Sequence, residues 1–261
     1  MLEMSDRTKK ISVIRRLLSL VRVSVVALWT ILWTALALMI HLLTRSHDIP
    51  LTIAYRLWAP STLRMMGARL EVRGVDELDL TRSYLFVANH TSQLDIPVLF
   101  AALPIPLRFL AKEELRKVPL VGRFISAMGM VYVDRGQSEA ARQSIDRLAS
   151  SLAEGMCLLV FPEGTRSHDG ELGKFKTGAF VAAIKSGVPV VPIYILGAAK
   201  ILPSGTLVTC SGRVVVVAGE PIPTQQYSLD DRRRLADLVR SRMVELGAQR
   251  GADYRVASSR T

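Results

Sequence analysis

The stretch Tyr84–Asp95, YLFVANHTSQLD, decides how the rest of the chain is read. Its first five residues form a short apolar run suited to a buried strand. A polar break follows, N-H-T-S, and a helical pattern begins near residue 93 and runs to residue 102. A strand that stops where a helix starts presents the intervening side chains at its carboxyl end. Open α/β sheets place their ligands there. His90 therefore stands at a position suited to chemistry, and Asp95 lies about one helical turn into the segment that follows. A carboxylate on one ring nitrogen fixes the imidazole tautomer and leaves the other nitrogen free as a base.

The same alternation continues along the chain. Further apolar runs fall at 68–72, 108–111, 130–133, 156–161, 190–195 and 213–219. Helical patterns fall between or after them near 119–127, 138–153, 176–186 and 228–247. Ala141, Ile145, Leu148 and Leu152 recur on one helical face, with Ser138 suited to cap its start and Gly155 to end it. Ser228 and Asp231 have the spacing of a capping box. Strand–helix alternation predicts an α/β domain, with a mixed, largely parallel sheet flanked by helices, over residues 68–250. Residues 251–261 read as a disordered tail.

The residues before this domain are of another kind. Residues 1–22 are rich in Arg and Lys, and from Val23 to Thr44 there is no Asp, Glu, Lys or Arg. A helix over Val23–Leu43 spans about 30 Å, the thickness of a bilayer's hydrocarbon layer. No A-x-A-like cleavage site follows it, which disfavours a signal peptide. The basic excess ahead of it places the N-terminus in the cytoplasm. Residues 49–67 form a second, shorter apolar segment that carries Arg56 and Arg64 and is interrupted by Pro60. Together they predict an N-terminal membrane-associated helical hairpin over residues 1–67, dipping into the cytoplasmic leaflet of the inner (plasma) membrane. A single-crossing anchor is the alternative. Trp29, Trp33 and Trp58 all lie in this segment, as interfacial anchors or as core residues.

Composition narrows the function. The net charge is +11, yet 49% of the residues are hydrophobic. That pairing fits an anionic membrane surface better than nucleic acid, for which the chain carries no recognition motif. The two cysteines exclude a disulfide scaffold. Cys157 sits in an apolar run and reads as a packing residue, and no G-x-S-x-G elbow is present. His41, His47 and His168 are isolated from one another in pattern, so no metal and no cofactor is expected.

A second motif, FPEGTRS, spans Phe161 to Ser167 at the end of another apolar run. Gly164 allows a tight turn, and Arg166 can grip a phosphate with two parallel hydrogen bonds. Read together, N-H-x-x-x-x-D and F-P-E-G-T-R-S resemble the glycerolipid acyltransferase family, of the 1-acylglycerol-3-phosphate acyltransferase type. Lys112–Arg135, Val191–Ile195 and Phe175–Phe180 also look like segments of that family.

The resemblance implies transfer of a fatty acyl group from acyl-CoA or acyl carrier protein to the free sn-2 hydroxyl of lysophosphatidic acid, giving phosphatidic acid. By carry-over, His90 is the general base and Asp95 its partner. Asn89, Lys112, Arg135, Glu163, Gly164, Thr165 and Arg166 are the expected substrate-binding residues. Gly122 marks a turn shaping the acyl-binding region, and backbone N–H groups near His90 are the natural oxyanion donors. Other acceptors within the family, such as a lyso-ornithine lipid or glycerol 3-phosphate, remain open. A non-catalytic membrane scaffold or basic binding protein would keep the anchor and show degraded motifs, whereas both motifs here are complete.

Overall fold

The computed structural model describes residues 2–134, 139–167 and 171–258. Each of the seven apolar runs forms a strand: β1 Ala68–Arg73, β2 Leu85–Ala88, β3 Arg108–Lys112, β4 Val131–Val133, β5 Leu158–Val160, β6 Val190–Leu196 and β7 Gly212–Ala218. They make one sheet in the order β1-β7-β6-β2-β5-β3-β4. Neighbours run parallel except β6 and β7, which pair antiparallel with Ile193 opposite Ala218. The sheet is thus mixed and largely parallel, as expected. Side chains alternate across it. Phe86 and Ala88 enter one core layer, and Leu85 and Val87 enter the other. With both faces covered, the central strands read as unbroken apolar runs.

The helices are α1 Leu2–Thr44, α2 Asp48–Ile53, α3 Ala59–Met65, α4 Asp95–Ala102, α5 Val121–Ala127, α6 Glu139–Ala153, α7 Gly178–Ser186, α8 Ala198–Ile201 and α9 Arg232–Ser258. The first layer holds α3 and α4, with Leu63, Val98 and Leu99 in its core. The second holds α6, α7 and α9, through Leu148, Leu152, Phe180, Val239 and Met243. The predicted face of α6 is the buried one, although Ser138, its expected cap, lies outside the described residues. The capping box of Ser228 and Asp231 is formed. Helix α9 continues to Ser258, through most of the segment that composition marks as a disordered tail.

Helices α1 to α3, Leu2 to Met65, form a helical hairpin that turns at Arg45 (φ 56°). Pro60 does not break its second arm. A single π-helical turn, Ala54–Trp58, comes just before it, where the missing proline N–H leaves the Arg56 carbonyl without its usual helical partner. The hairpin also shares the core of the domain instead of standing apart. Trp33, Ala37, Leu51, Ala54, Ala59, Leu63 and Met66 are buried in the same cluster as Phe86 and Leu99. Trp33 is thus a core residue, and Trp58 packs edge-on to Phe100 and donates to Thr30.

Helix α1 lies along the domain. Near its middle Ser19 receives the Thr209 N–H (3.0 Å) and Arg22 donates to Ser211 (3.3 Å). Just past its C-terminal end, the ring of His47 meets the Ala127 carbonyl at 3.0 Å. The opposite face of α1 exposes Leu28, Ile31, Leu32, Leu36, Met39, Leu42 and Leu43. Arg16–Thr44 is long and apolar enough, by length and composition, to cross a membrane.

Candidate active site

The central strands β2, β5 and β6 are parallel neighbours, so their carboxyl ends meet at one edge. His90 follows β2, and Phe161–Ser167 follows β5. The first residue of α4, Asp95, is fully buried and points back at the segment between them. Its Oδ2 lies 2.8 Å from His90 Nδ1 and accepts the N–H groups of Thr91 (2.7 Å) and Ser92 (2.8 Å). An ionised carboxylate only accepts, so the His90 proton sits on Nδ1 and the lone pair on Nε2. The imidazole remains 18% exposed and stacks on the Phe161 ring, with centroids 4.0 Å apart and planes 15° apart. Asp95 sets the tautomer, and Phe161 sets the plane.

Glu163 joins the two motifs. One of its oxygens accepts the His90 N–H (3.2 Å) and the other accepts the Gly173 N–H (3.0 Å). The Ser167 N–H returns to the His90 carbonyl at 2.8 Å. Glu163, expected to bind substrate, is here a brace between backbone segments. Asn89 is engaged in a similar way: its amide donates to the Ile195 carbonyl (3.0 Å) and accepts the Ile195 N–H (2.7 Å), tying the end of β2 to β6. Backbone donors near His90 are also engaged. Glu163 holds that of His90, and Asp95 holds those of Thr91 and Ser92, so these three are not free to serve an oxyanion as the sequence suggested.

Gly164 adopts φ +77°, and the Lys176 side chain lies 3.0 Å from where a Cβ would be. Sequence reasoning had not singled out Lys176. Its place within FKTGAF, just past the second motif, was the available signal. The Lys176 N–H bonds the Pro162 carbonyl at 2.9 Å, folding this segment onto the turn. Thr165 is exposed. Arg166 Nη1 is buried, with no hydrogen-bond partner among the described residues. Glu163, Thr165, Ser167, Leu172, Gly173 and Lys174 help line a cavity of about 310 Å³ beside the turn. Lys112 is exposed at the carboxyl end of β3, on the same edge of the sheet. Arg135 lies outside the described residues. Gly122 is needed for packing: a Cβ there would run into the Arg116 carbonyl.

Tyr194 on β6 and Cys157 at the amino end of β5 are displaced from their ordinary range. Burial raises the Tyr194 phenol, and the negative charges of Glu171 and Glu163 raise it further. Burial raises the Cys157 thiol, whose Sγ donates to the Arg82 carbonyl at 3.4 Å. Cys157 is a packing residue, as the sequence indicated.

A histidine held by a buried carboxylate, and an arginine whose buried Nη1 has no hydrogen-bond partner among the described residues, thus stand at the carboxyl edge of an α/β sheet. A family model described as Acyltransferase matches residues 69–196. The 1-acyl-sn-glycerol-3-phosphate acyltransferase alpha of Homo sapiens is 32% identical over 192 residues, covering 73% of this chain and 68% of that protein. The chloroplastic 1-acyl-sn-glycerol-3-phosphate acyltransferase BAT2 of Brassica napus is 34% identical over 192 residues, covering 73% of this chain and 54% of that one. The chain thus spans about half the length of that plant relative. The crystal structure of the 1-acyl-sn-glycerophosphate (LPA) acyltransferase PlsC from Thermotoga maritima aligns with a TM-score of 0.74 at 27% identity, covering 91% of this chain and 98% of that one. The protein belongs to the 1-acyl-sn-glycerol-3-phosphate acyltransferase family.

Proposed function

We propose that the protein acylates the sn-2 hydroxyl of lysophosphatidic acid with a fatty acyl thioester, yielding phosphatidic acid. The observation that carries this reading is the His90–Asp95 pair, with Nδ1 committed to the carboxylate at 2.8 Å and the ring partly open to solvent. In the proposed step, His90 Nε2 removes the acceptor's hydroxyl proton as its oxygen attacks the thioester carbonyl. The tetrahedral adduct collapses, the carbon–sulfur bond breaks, and the imidazolium returns the proton to the departing thiolate. General-base help of this kind contributes roughly 10²–10⁴-fold. Arg166 supplies the charge for the acceptor's phosphate, since its buried Nη1 lacks a partner among the described residues.

The donor is acyl-CoA or acyl carrier protein, and we propose that the enzyme works at the cytoplasmic face of the membrane. Docking of α1 along the domain, from Ser19 to the turn at His47, supports a hairpin lying in one leaflet over a helix that crosses and leaves the domain behind.

The test is purified protein assayed with both donors against lysophosphatidic acid, a lyso-ornithine lipid and glycerol 3-phosphate. Phosphatidic acid formation is expected. Exclusive use of another acceptor would overturn the assignment. With lysophosphatidic acid, Arg166→Ala is expected to raise KM about 10–100-fold, the worth of a charged hydrogen bond. An unchanged KM would remove Arg166 from the phosphate site.

A further inference from the structure

The turn between β3 and α5 exposes apolar side chains in a fixed shape. Val118 is 42% exposed, Leu120 64% and Val121 42%, with exposed Pro119 among them. The Val121 N–H bonds the Pro119 carbonyl at 2.7 Å, closing a γ-turn around Leu120 at φ 64° and ψ −48°. This is the rare, strained form of that turn. It is held from behind. Gly122 packs on the Arg116 carbonyl, the Tyr132 hydroxyl donates to the Gly122 carbonyl at 2.8 Å, and the Arg116 guanidinium lies 4.1 Å over the Tyr132 ring. The fold thus holds an apolar tip out into solvent at the expense of backbone strain.

The tip has a basic surround. Lys117 precedes it and Arg123 follows it, both exposed and neither with a carboxylate partner among the described residues. Exposed Lys112 and Arg116 stand on the same segment. Of the two acidic residues there, Glu113 pairs with Arg116 at 2.6 Å, and Glu114 is exposed. Helix α5, which the turn opens, packs against α1, the helix that carries the exposed apolar face.

We propose that Val118–Val121 is a second lipid contact, an apolar tip that enters the headgroup layer of an anionic bilayer while Lys117 and Arg123 meet lipid phosphates. The apolar exposure and the continuity with α1 favour lipid over an acidic protein partner. Two contacts, one along α1 and one here, would fix the tilt of the catalytic edge against the leaflet. The kinetic part of the test rests on the proposed acylation of lysophosphatidic acid; the spectroscopic part does not.

For the spectroscopic arm, full-length Leu120→Cys, in a Cys157→Ala/Cys210→Ala background, carries an environment-sensitive nitrobenzoxadiazole label. It is reconstituted in phosphatidylcholine–phosphatidylglycerol vesicles containing nitroxide-labelled lipid. Quenching at position 120 is expected, with none at a control label on Arg142→Cys, whose side chain is 80% exposed on α6. No quenching at 120 would overturn the proposal. For the kinetic arm, each basic residue near an anionic leaflet strengthens binding about five-fold. Lys117→Glu and Arg123→Glu are each expected to raise the apparent KM for vesicle-borne lysophosphatidic acid by at least that factor. Both should leave turnover of a short-chain, monomeric acceptor unchanged. Equal losses on both acceptors would assign the turn to the active site, and a loss confined to carrier-protein donor would assign it to a protein partner. Either result overturns the lipid contact. A wild-type protein inactive on both acceptors but quenched at position 120 would refute the acylation reading alone.

Discussion

Replacing Asp95 with Asn leaves the shape of the His90 segment and removes its charge. Asp95 Oδ2 accepts three hydrogen bonds, two from the backbone at Thr91 and Ser92 and one from the His90 imidazole. The carboxylate is fully buried, so solvent does not screen the change. Bonds to an ionised acceptor are about twice as strong as neutral ones, a difference of about 1 kcal/mol each. The two backbone bonds therefore predict a stability loss of about 2 kcal/mol. In a chain of this size that lowers Tm by roughly 4–8 °C. The third bond acts on chemistry: without the carboxylate the imidazolium is not stabilised and the tautomer is not fixed, so kcat falls by roughly 10²–10⁴-fold. Because Asp95 acts on the reaction through His90, the losses do not add. The double variant His90→Ala/Asp95→Asn is expected to turn over no more slowly than His90→Ala, while keeping the lower Tm. The measurements are steady-state acyl transfer and thermal unfolding of all three variants. A double variant slower than His90→Ala by the full Asp95→Asn factor would show that Asp95 contacts the reaction independently, and the pair would have to be reinterpreted.

Phe161→Leu removes the ring that His90 stacks on. Aromatic contacts contribute about 0.5–1.5 kcal/mol, so kcat should fall roughly 2–10-fold with KM unchanged. A KM effect alone would move Phe161 to substrate binding. The buried, raised-pKa thiol of Cys157 predicts that N-ethylmaleimide at neutral pH leaves activity intact. If labelling of Cys157 tracked inactivation, a covalent thiol route would return to consideration. Removing residues 1–67 takes Leu51, Leu63 and Met66 out of the core, and each truncation of that kind costs about 2–5 kcal/mol. The truncated chain is expected to be unfolded by circular dichroism. A soluble, cooperatively melting fragment would refute the shared core.

The central strands were readable because burial on both faces writes them as short apolar runs bounded by polar breaks. The His90–Asp95 pair was readable because both residues sit within one strand–helix junction. What escaped reading depends on distant partners. The antiparallel pairing of β6 and β7 follows from how the chain returns through α8, and apolar composition does not record strand direction. Trp33 and Trp58 have the composition of interfacial anchors, but their neighbours, such as Phe100, come later in the chain. Glu163 looks like a free ligand beside Arg166. Only the fold brings the N–H groups of His90 and Gly173 to its two oxygens, and only the fold brings Ile195 to the Asn89 amide.

The docking of α1 has a consequence for how the chain comes to be folded. Ser19 finds its partner at Thr209, 190 residues further on. During synthesis at about 5–20 residues per second, the apolar helix is therefore complete roughly ten seconds or more before its seat on the domain exists. For that interval the face that carries Trp33 and Ala37 lacks the core that later buries it, so α1 is apolar and uncovered all round. A bilayer is the solvent that suits such a helix, and this timing predicts that α1 meets the membrane before the α/β domain folds onto it.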